Sequence, residues 1–233
     1  MNSAPLRQRL VAEMLGTALL LATVVGSGIM GERLAGGNIA IALLANAIAT
    51  GAALYALITT FGPISGAHFN PLVTLIECLE GHLRKREAAL YVACQIIGAL
   101  LGVLTAHALF ELPLLQISQH VRTGIPQWGS EAIATFGLLI IILQCAKHRP
   151  SSVAAAVASY ITAAYWFTSS TSFANPAVTL ARSLTDTFAG IRPIDTPGFI
   201  AAQSLGAILA YGLYRWLQAG LPKQANKNIK PWY

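Results

Sequence analysis

The hexapeptide Asn70-Pro71-Leu72-Val73-Thr74-Leu75 returns, little changed, as Asn175-Pro176-Ala177-Val178-Thr179-Leu180. Each copy opens a short amphipathic stretch, about 70–82 and about 175–187, flanked by long apolar runs. Upstream of each, in matching places, an apolar run carries a glutamate. Ala12-Glu13-Met14-Leu15-Gly16-Thr17 resembles Ser130-Glu131-Ala132-Ile133-Ala134-Thr135-Phe136-Gly137. Each half thus reads as a Glu-bearing run, a second run, an Asn-Pro segment and a third run. If the long runs cross a membrane, each half makes an odd number of passes. The second copy must then sit inverted relative to the first.

Apolar runs lie at about 10–30, 38–61, 88–110, 130–147, 152–171 and 197–219, each near the roughly 20 residues that span a bilayer. The composition, 55% hydrophobic and 10% charged, is far from the roughly 25% charge of a soluble domain. Lipid must be the solvent for much of the surface. Arg7 and Arg9 precede the first run as they would a signal peptide, but the run is long and no small-residue cleavage site follows, so it reads as a span. The glycines and alanines within the runs suit close helix packing in lipid. The fold expected is an all-α membrane protein of six transmembrane helices plus two re-entrant half-helices, in an inverted three-helix repeat. It forms one domain over 1–233: a first repeat at about 8–112, a second at about 127–220, and a cytoplasmic tail at 221–233.

The net charge of +6 does not point to nucleic acid, because the basic residues fall in short clusters between apolar runs and form no continuous face. Six passes place both ends on one side. That side takes Arg7, Arg9, Arg84, Lys85, Arg86, Lys147, Arg149, Arg215, Lys223, Lys227 and Lys230, which is 11 of the 15 Lys and Arg residues. An excess of Lys and Arg marks cytoplasmic loops, so both termini are expected in the cytoplasm.

The Asn-Pro pair has a definite physical meaning. Proline drives the preceding residue out of helical geometry and itself suits the first helical position, so Asn70 and Asn175 become N-caps. The inversion brings the two half-helices in from opposite faces, their N-termini meeting near mid-membrane. Two positive dipole ends aimed at one point repel cations, and the asparagine amides can donate to a passing oxygen. The irregular backbone expected at 62–69 and 168–174 exposes carbonyls, which a membrane tolerates only where they line a wet cavity. Donors facing a row of acceptors make a path for a neutral hydroxylated solute.

Glu13 and Glu131 are the acids well inside the spans, where a carboxylate is costly. Each either relays protons or accepts hydrogen bonds from the adjoining loop and holds its shape; their matching positions favour loop support. His68, two residues before Asn70, is expected to line the inner half of the path. Cys78, Cys94 and Cys145 lack metal-ligand spacing and read as small buried hydrophobes. No nucleophile–base pair and no ligand cluster appears in the spans, so neither catalytic residues, nor a metal, nor a cofactor is expected. A proton- or ion-coupled carrier using Glu13 or Glu131 is the alternative, since inverted repeats and broken helices occur there too.

On these residues the chain resembles the major intrinsic protein family, the aquaporins and aquaglyceroporins, over about 8–218. Ser65-Gly66-Ala67-His68-Phe69-Asn70-Pro71 is similar to the first family signature, with Leu72 where alanine is usual, and Ser172-Phe173-Ala174-Asn175-Pro176-Ala177 to the second. The resemblance implies an hourglass fold, a homotetramer with one pore per subunit, passive transport of small neutral solutes and water across a lipid bilayer, and no cofactor. It also implies an outer selectivity filter, which falls here at Thr50, Ala163, Ser172 and Val178. The family almost always has arginine at the last of these. Valine there resembles bacterial aquaglyceroporins associated with arsenic resistance, and implies a wider, uncharged constriction. Arg182, one turn further along, either guards the mouth or pairs with Asp186.

Overall fold

The computed structural model describes residues 4–219, and the tail expected at 221–233 lies outside them. Eight α-helices account for nearly all the regular structure: α1 (Leu6–Leu34), α2 (Ile39–Ser65), α3 (Pro71–Leu79), α4 (Lys85–Leu109), α5 (Ile125–His148), α6 (Val153–Phe167), α7 (Pro176–Arg182) and α8 (Thr196–Ala219). Four of them, α1, α2, α4 and α5, are long and apolar enough on their own to cross a membrane. With α6 and α8 they form six passes, and α3 and α7 are the half-helices.

The two halves pack alike. Helix α1 lies on α4 and α2, as α5 lies on α8 and α6, and α2 meets α6 where the halves join. At the α1–α4 crossing, a Cβ on Gly98 would stand 2.2 Å from the Met14 carbonyl oxygen, and at α5–α8 a Cβ on Gly206 would stand 2.2 Å from that of Ala132. These glycines let the backbones touch, and dispersion over that contact is what holds helices together in lipid. Helix ends fix the topology. Arg9 pairs with Glu87 at 3.2 Å and Arg215 with Glu80 at 3.4 Å, while the Lys147 ammonium donates to Gln218. The starts of α1 and α4 and the ends of α3, α5 and α8 thus share one end of the bundle. At the opposite end Arg33 donates to the Phe110 carbonyl and the Ser118 N–H to that of Ser183. The chain therefore enters and leaves at the same end.

Three boundaries differ from the sequence reading. Helix α2 continues through Pro63 to Ser65, so the first irregular segment is 66–70 rather than 62–69. Helix α6 has only 15 residues and stops at Phe167, short of 171. Helix α7 stops at Arg182, short of 187. Large apolar side chains such as Leu19, Ile48, Ile97, Ile133 and Leu205 are exposed, as expected where hydrocarbon rather than water is the surrounding medium.

Candidate functional site

Each asparagine closes its own half-helix and reaches into the other half. Asn70 Oδ1 accepts the Leu72 N–H at 2.9 Å, and Asn175 Oδ1 accepts those of Ala177 (3.0 Å) and Val178 (3.3 Å). Pro71 and Pro176 stand at the first helical positions, where a missing N–H goes unnoticed. The Asn70 amide donates to the Ala174 carbonyl at 2.8 Å, and the Asn175 amide to the Phe69 carbonyl at 2.7 Å. One N–H of each amide therefore fastens the opposite loop, which the sequence did not reveal. The amide carries two, and both residues line a cavity, so each keeps a second N–H with no hydrogen-bond partner among the described residues.

The loops before the asparagines have unusual backbones. Ala67 and Phe69 in one, Ser172 and Ala174 in the other, take φ of 50°, 49°, 52° and 49°. Such left-handed residues without a glycine cost on the order of 1–3 kcal/mol each and persist only where surroundings impose them. Glu13 and Glu131 do the imposing. Glu13 Oε1 accepts the Ser65 hydroxyl (2.6 Å) and the His68 N–H (3.0 Å), and Oε2 the Phe69 N–H (2.8 Å) and the Gln95 amide (2.7 Å). Glu131 Oε1 accepts the Ser170 hydroxyl (2.6 Å) and the Phe173 N–H (2.9 Å), and Oε2 the Ala174 N–H (2.9 Å) and the Gln203 amide (2.6 Å). Gln95 and Gln203 are steered by Thr74 and Thr179 at 2.9 and 2.8 Å. With loop N–H groups drawn to the buried carboxylates, the carbonyls are left to the other side, toward the cavity. The serines, threonines and glutamines were missed from sequence, although each pair recurs at matching places in the repeat.

The cavity encloses about 770 Å³ of unfilled space, open mouths included, and residues 66–70 and 172–175 form one side of it. The other side is apolar: Leu20 and Val24 of α1, Leu54 and Ile58 of α2, Leu138 and Ile142 of α5, Val153, Val157 and Ile161 of α6. Val73 and Val178, equivalent in the two halves, face it from α3 and α7. Leu72 and Ala177, the residues after each Asn-Pro, are buried but do not line it. His68 lines it, half-buried, with Nδ1 3.0 Å from the Thr74 hydroxyl and its ring tilted against Tyr91.

At the end opposite the termini, Thr50, Ser172 and Val178 all line the cavity, whereas Ala163 does not. Ala163 is exposed on the outside of α6. Ala163 stands 12 residues before Asn175 and Tyr165 only 10, so the cavity-lining position of α6 lies two residues nearer Asn175 than expected. Tyr165 takes the inward position, its hydroxyl 3.1 Å from that of Thr50. The Ser172 hydroxyl has no hydrogen-bond partner among the described residues. Arg182 also lines the cavity and is 2% exposed. Its expected partner Asp186 lies beyond the end of α7 and accepts the Gln119 N–H instead, at 2.8 Å. The Arg182 Nε donates to the Ala189 carbonyl, and its guanidinium lies 3.4 Å over the Phe173 ring.

A family profile described as "Major intrinsic protein" matches residues 1–164. The chain is 55% identical over 217 residues to "Aquaglyceroporin AqpS" of Rhizobium meliloti (strain 1021), covering 93% of each chain. It is 31% identical to "Probable aquaporin AqpM" of Archaeoglobus fulgidus, covering 91% of this chain and 97% of that one. Among solved structures, an aquaglyceroporin from Plasmodium falciparum superposes with a TM-score of 0.65 over 90% of this chain and 96% of the other, at 17% identity, a likeness of fold.

Proposed function

We propose, on the premise that this chain belongs to the major intrinsic protein family of membrane channels, that its passive pathway carries glycerol-like polyols and trivalent metalloid hydroxides such as arsenite, with some water. Methylated arsenicals, less polar than arsenite, suit the same path. The observation that carries this reading is Val178, buried and facing the cavity where the family resemblance leads one to expect an arginine. An uncharged side chain there leaves a wider passage and lowers the cost of desolvating a solute larger than water. The acceptor row of the two loops opposite an apolar wall suits a molecule with hydroxyls on one side and carbon, or a bare metalloid centre, on the other.

The roles follow from this reading. Asn70 and Asn175 donate to the solute at mid-path, with Pro71, Leu72, Pro176 and Ala177 setting the caps. Thr50, Tyr165, Ser172 and Val178 shape the outer constriction, Tyr165 standing where Ala163 was expected. His68 faces the inner half, and Glu13 and Glu131 keep the loops in form. The carrier alternative is disfavoured because each carboxylate is already surrounded by four donors. A proton added there would displace one of them. We place the protein in the cell's inner membrane as a homotetramer, termini in the cytoplasm, the side the positive-inside rule favours.

Reconstituted into liposomes, the protein should pass glycerol and arsenite in stopped-flow measurements. Val178→Arg should cut both rates by about tenfold or more, since a guanidinium narrows the passage and adds a fixed charge. Equal rates for parent and variant would refute the assignment of Val178.

A further inference from the structure

We propose that Arg182 is the specificity-determining charge of this channel, the group that excludes cations at the outer constriction; the inference rests on the channel reading above. Two arginines stand at this end of the molecule, Arg182 buried and Arg122 half-buried, and the structure treats them differently. Arg122 is consumed by the loops. Its Nε donates to the Gly190 carbonyl at 2.7 Å, its terminal nitrogens to those of Ser170 (3.1 Å) and Phe188 (3.5 Å), and it does not line the cavity. Arg182 lines the cavity while giving up only its Nε, to the Ala189 carbonyl. Its two terminal nitrogens have no hydrogen-bond partner, and no carboxylate stands within ion-pair distance of it, among the described residues. A guanidinium never deprotonates in ordinary conditions. A full, uncompensated positive charge therefore faces the path with donor capacity in hand.

Its place is fixed from two sides. Arg182 is the last residue of α7, one turn beyond Val178, or about 6 Å at 1.5 Å per residue. Phe173, which also lines the cavity, carries the guanidinium plane on its ring at 3.4 Å. That stacking is a cation–π contact which orients the planar fork and limits its swing. The charge is needed at this end because α7 turns its positive N-terminus toward Asn175 at mid-path, and Arg182 stands at its negative C-terminal end, which would otherwise attract a cation. With Val178 neutral and no other cavity-lining arginine or lysine, exclusion at this end falls to Arg182. A solute bearing acceptor oxygens meets donors at Arg182, crosses an apolar ledge at Val178, and meets donors again at Asn175. A cation meets a barrier at the first step.

The test uses the full chain in proteoliposomes, with potassium conductance and glycerol permeability read on the same preparations. Arg182→Gln should raise potassium conductance by about tenfold or more, since electrostatic barriers in pores act through single fixed charges, while measurable glycerol flux shows that the variant has inserted. Adding Val178→Arg to that variant should restore potassium exclusion, which a merely structural role for Arg182 would not allow. Where Arg182→Gln does not insert, Phe173→Leu removes the platform beneath the guanidinium and should itself raise the leak. An Arg182→Gln channel that still excludes potassium overturns this inference alone, as does a tight Phe173→Leu channel in the fallback. A parent protein that passes no glycerol overturns the channel reading itself.

Discussion

Glu13 and Glu131 are each 0% exposed and accept four hydrogen bonds from their own half of the molecule. Charged acceptors make the strong hydrogen bonds, and these offset the strain of left-handed Ala67, Phe69, Ser172 and Ala174. Glu131→Gln replaces an acceptor oxygen by a donor and sets it against the Ala174 N–H or the Gln203 amide. The expected cost is on the order of 1–3 kcal/mol for each buried donor left stranded, read as a lower unfolding temperature in detergent and reduced solute flux at every pH. A proton relay would behave otherwise: Glu131→Gln would remain folded and lose only the pH dependence of transport. At this scale the sequence was most informative where a residue recurs. The asparagines, prolines and glutamates announce themselves by repetition. Ala163 was misplaced because only counting located it, and no count survives a loop whose length is unknown. Arg182 was legible as a residue but not as an unpaired one, because its supposed partner Asp186 presumed a helix that ends first.

Between the elements, the α1–α4 and α5–α8 contacts are made by backbone approach at Gly98 and Gly206. A methyl at either place would overlap a carbonyl oxygen of the facing helix and push the pair apart. Such overpacking costs about 1–3 kcal/mol. Gly98→Ala and Gly206→Ala should each lower the detergent unfolding temperature, and by similar amounts, because the two contacts are copies. Unequal effects would argue that the halves are not mechanically equivalent. Hydropathy placed every spanning helix, as a bilayer leaves the backbone few other choices. It erred at ends bordering the re-entrant loops, at Ser65, Phe167 and Arg182. There the backbone changes at 66–69 and in the polar stretches 168–172 and 183–187, and buried side chains rather than hydrophobicity decide where a helix stops.

For the molecule as a whole, the inverted repeat sets one end of the path against the other with matched machinery at its centre. Nothing in such an arrangement stores or couples energy. Glycerol loaded on one side of a proteoliposome should run to equal concentration and stop there, with or without an imposed proton or sodium gradient. Accumulation above the outside concentration would require a coupled carrier and would remove the passive reading.

The crossed bonds of the two asparagines, Asn70 to Ala174 and Asn175 to Phe69, carry a consequence for ancestry and assembly. Neither copy of the repeat holds both parts of its own fastening; each supplies the hook for the other's eye. The protein is in this sense a pair of partners joined by a peptide link, whose later part is fastened to the second copy through Ser118 and Arg122. Severed in the exposed stretch near Leu115 and made together as two polypeptides, the copies have every side chain needed to find one another in the bilayer, whereas either one made alone has half a lumen and an unclosed seam.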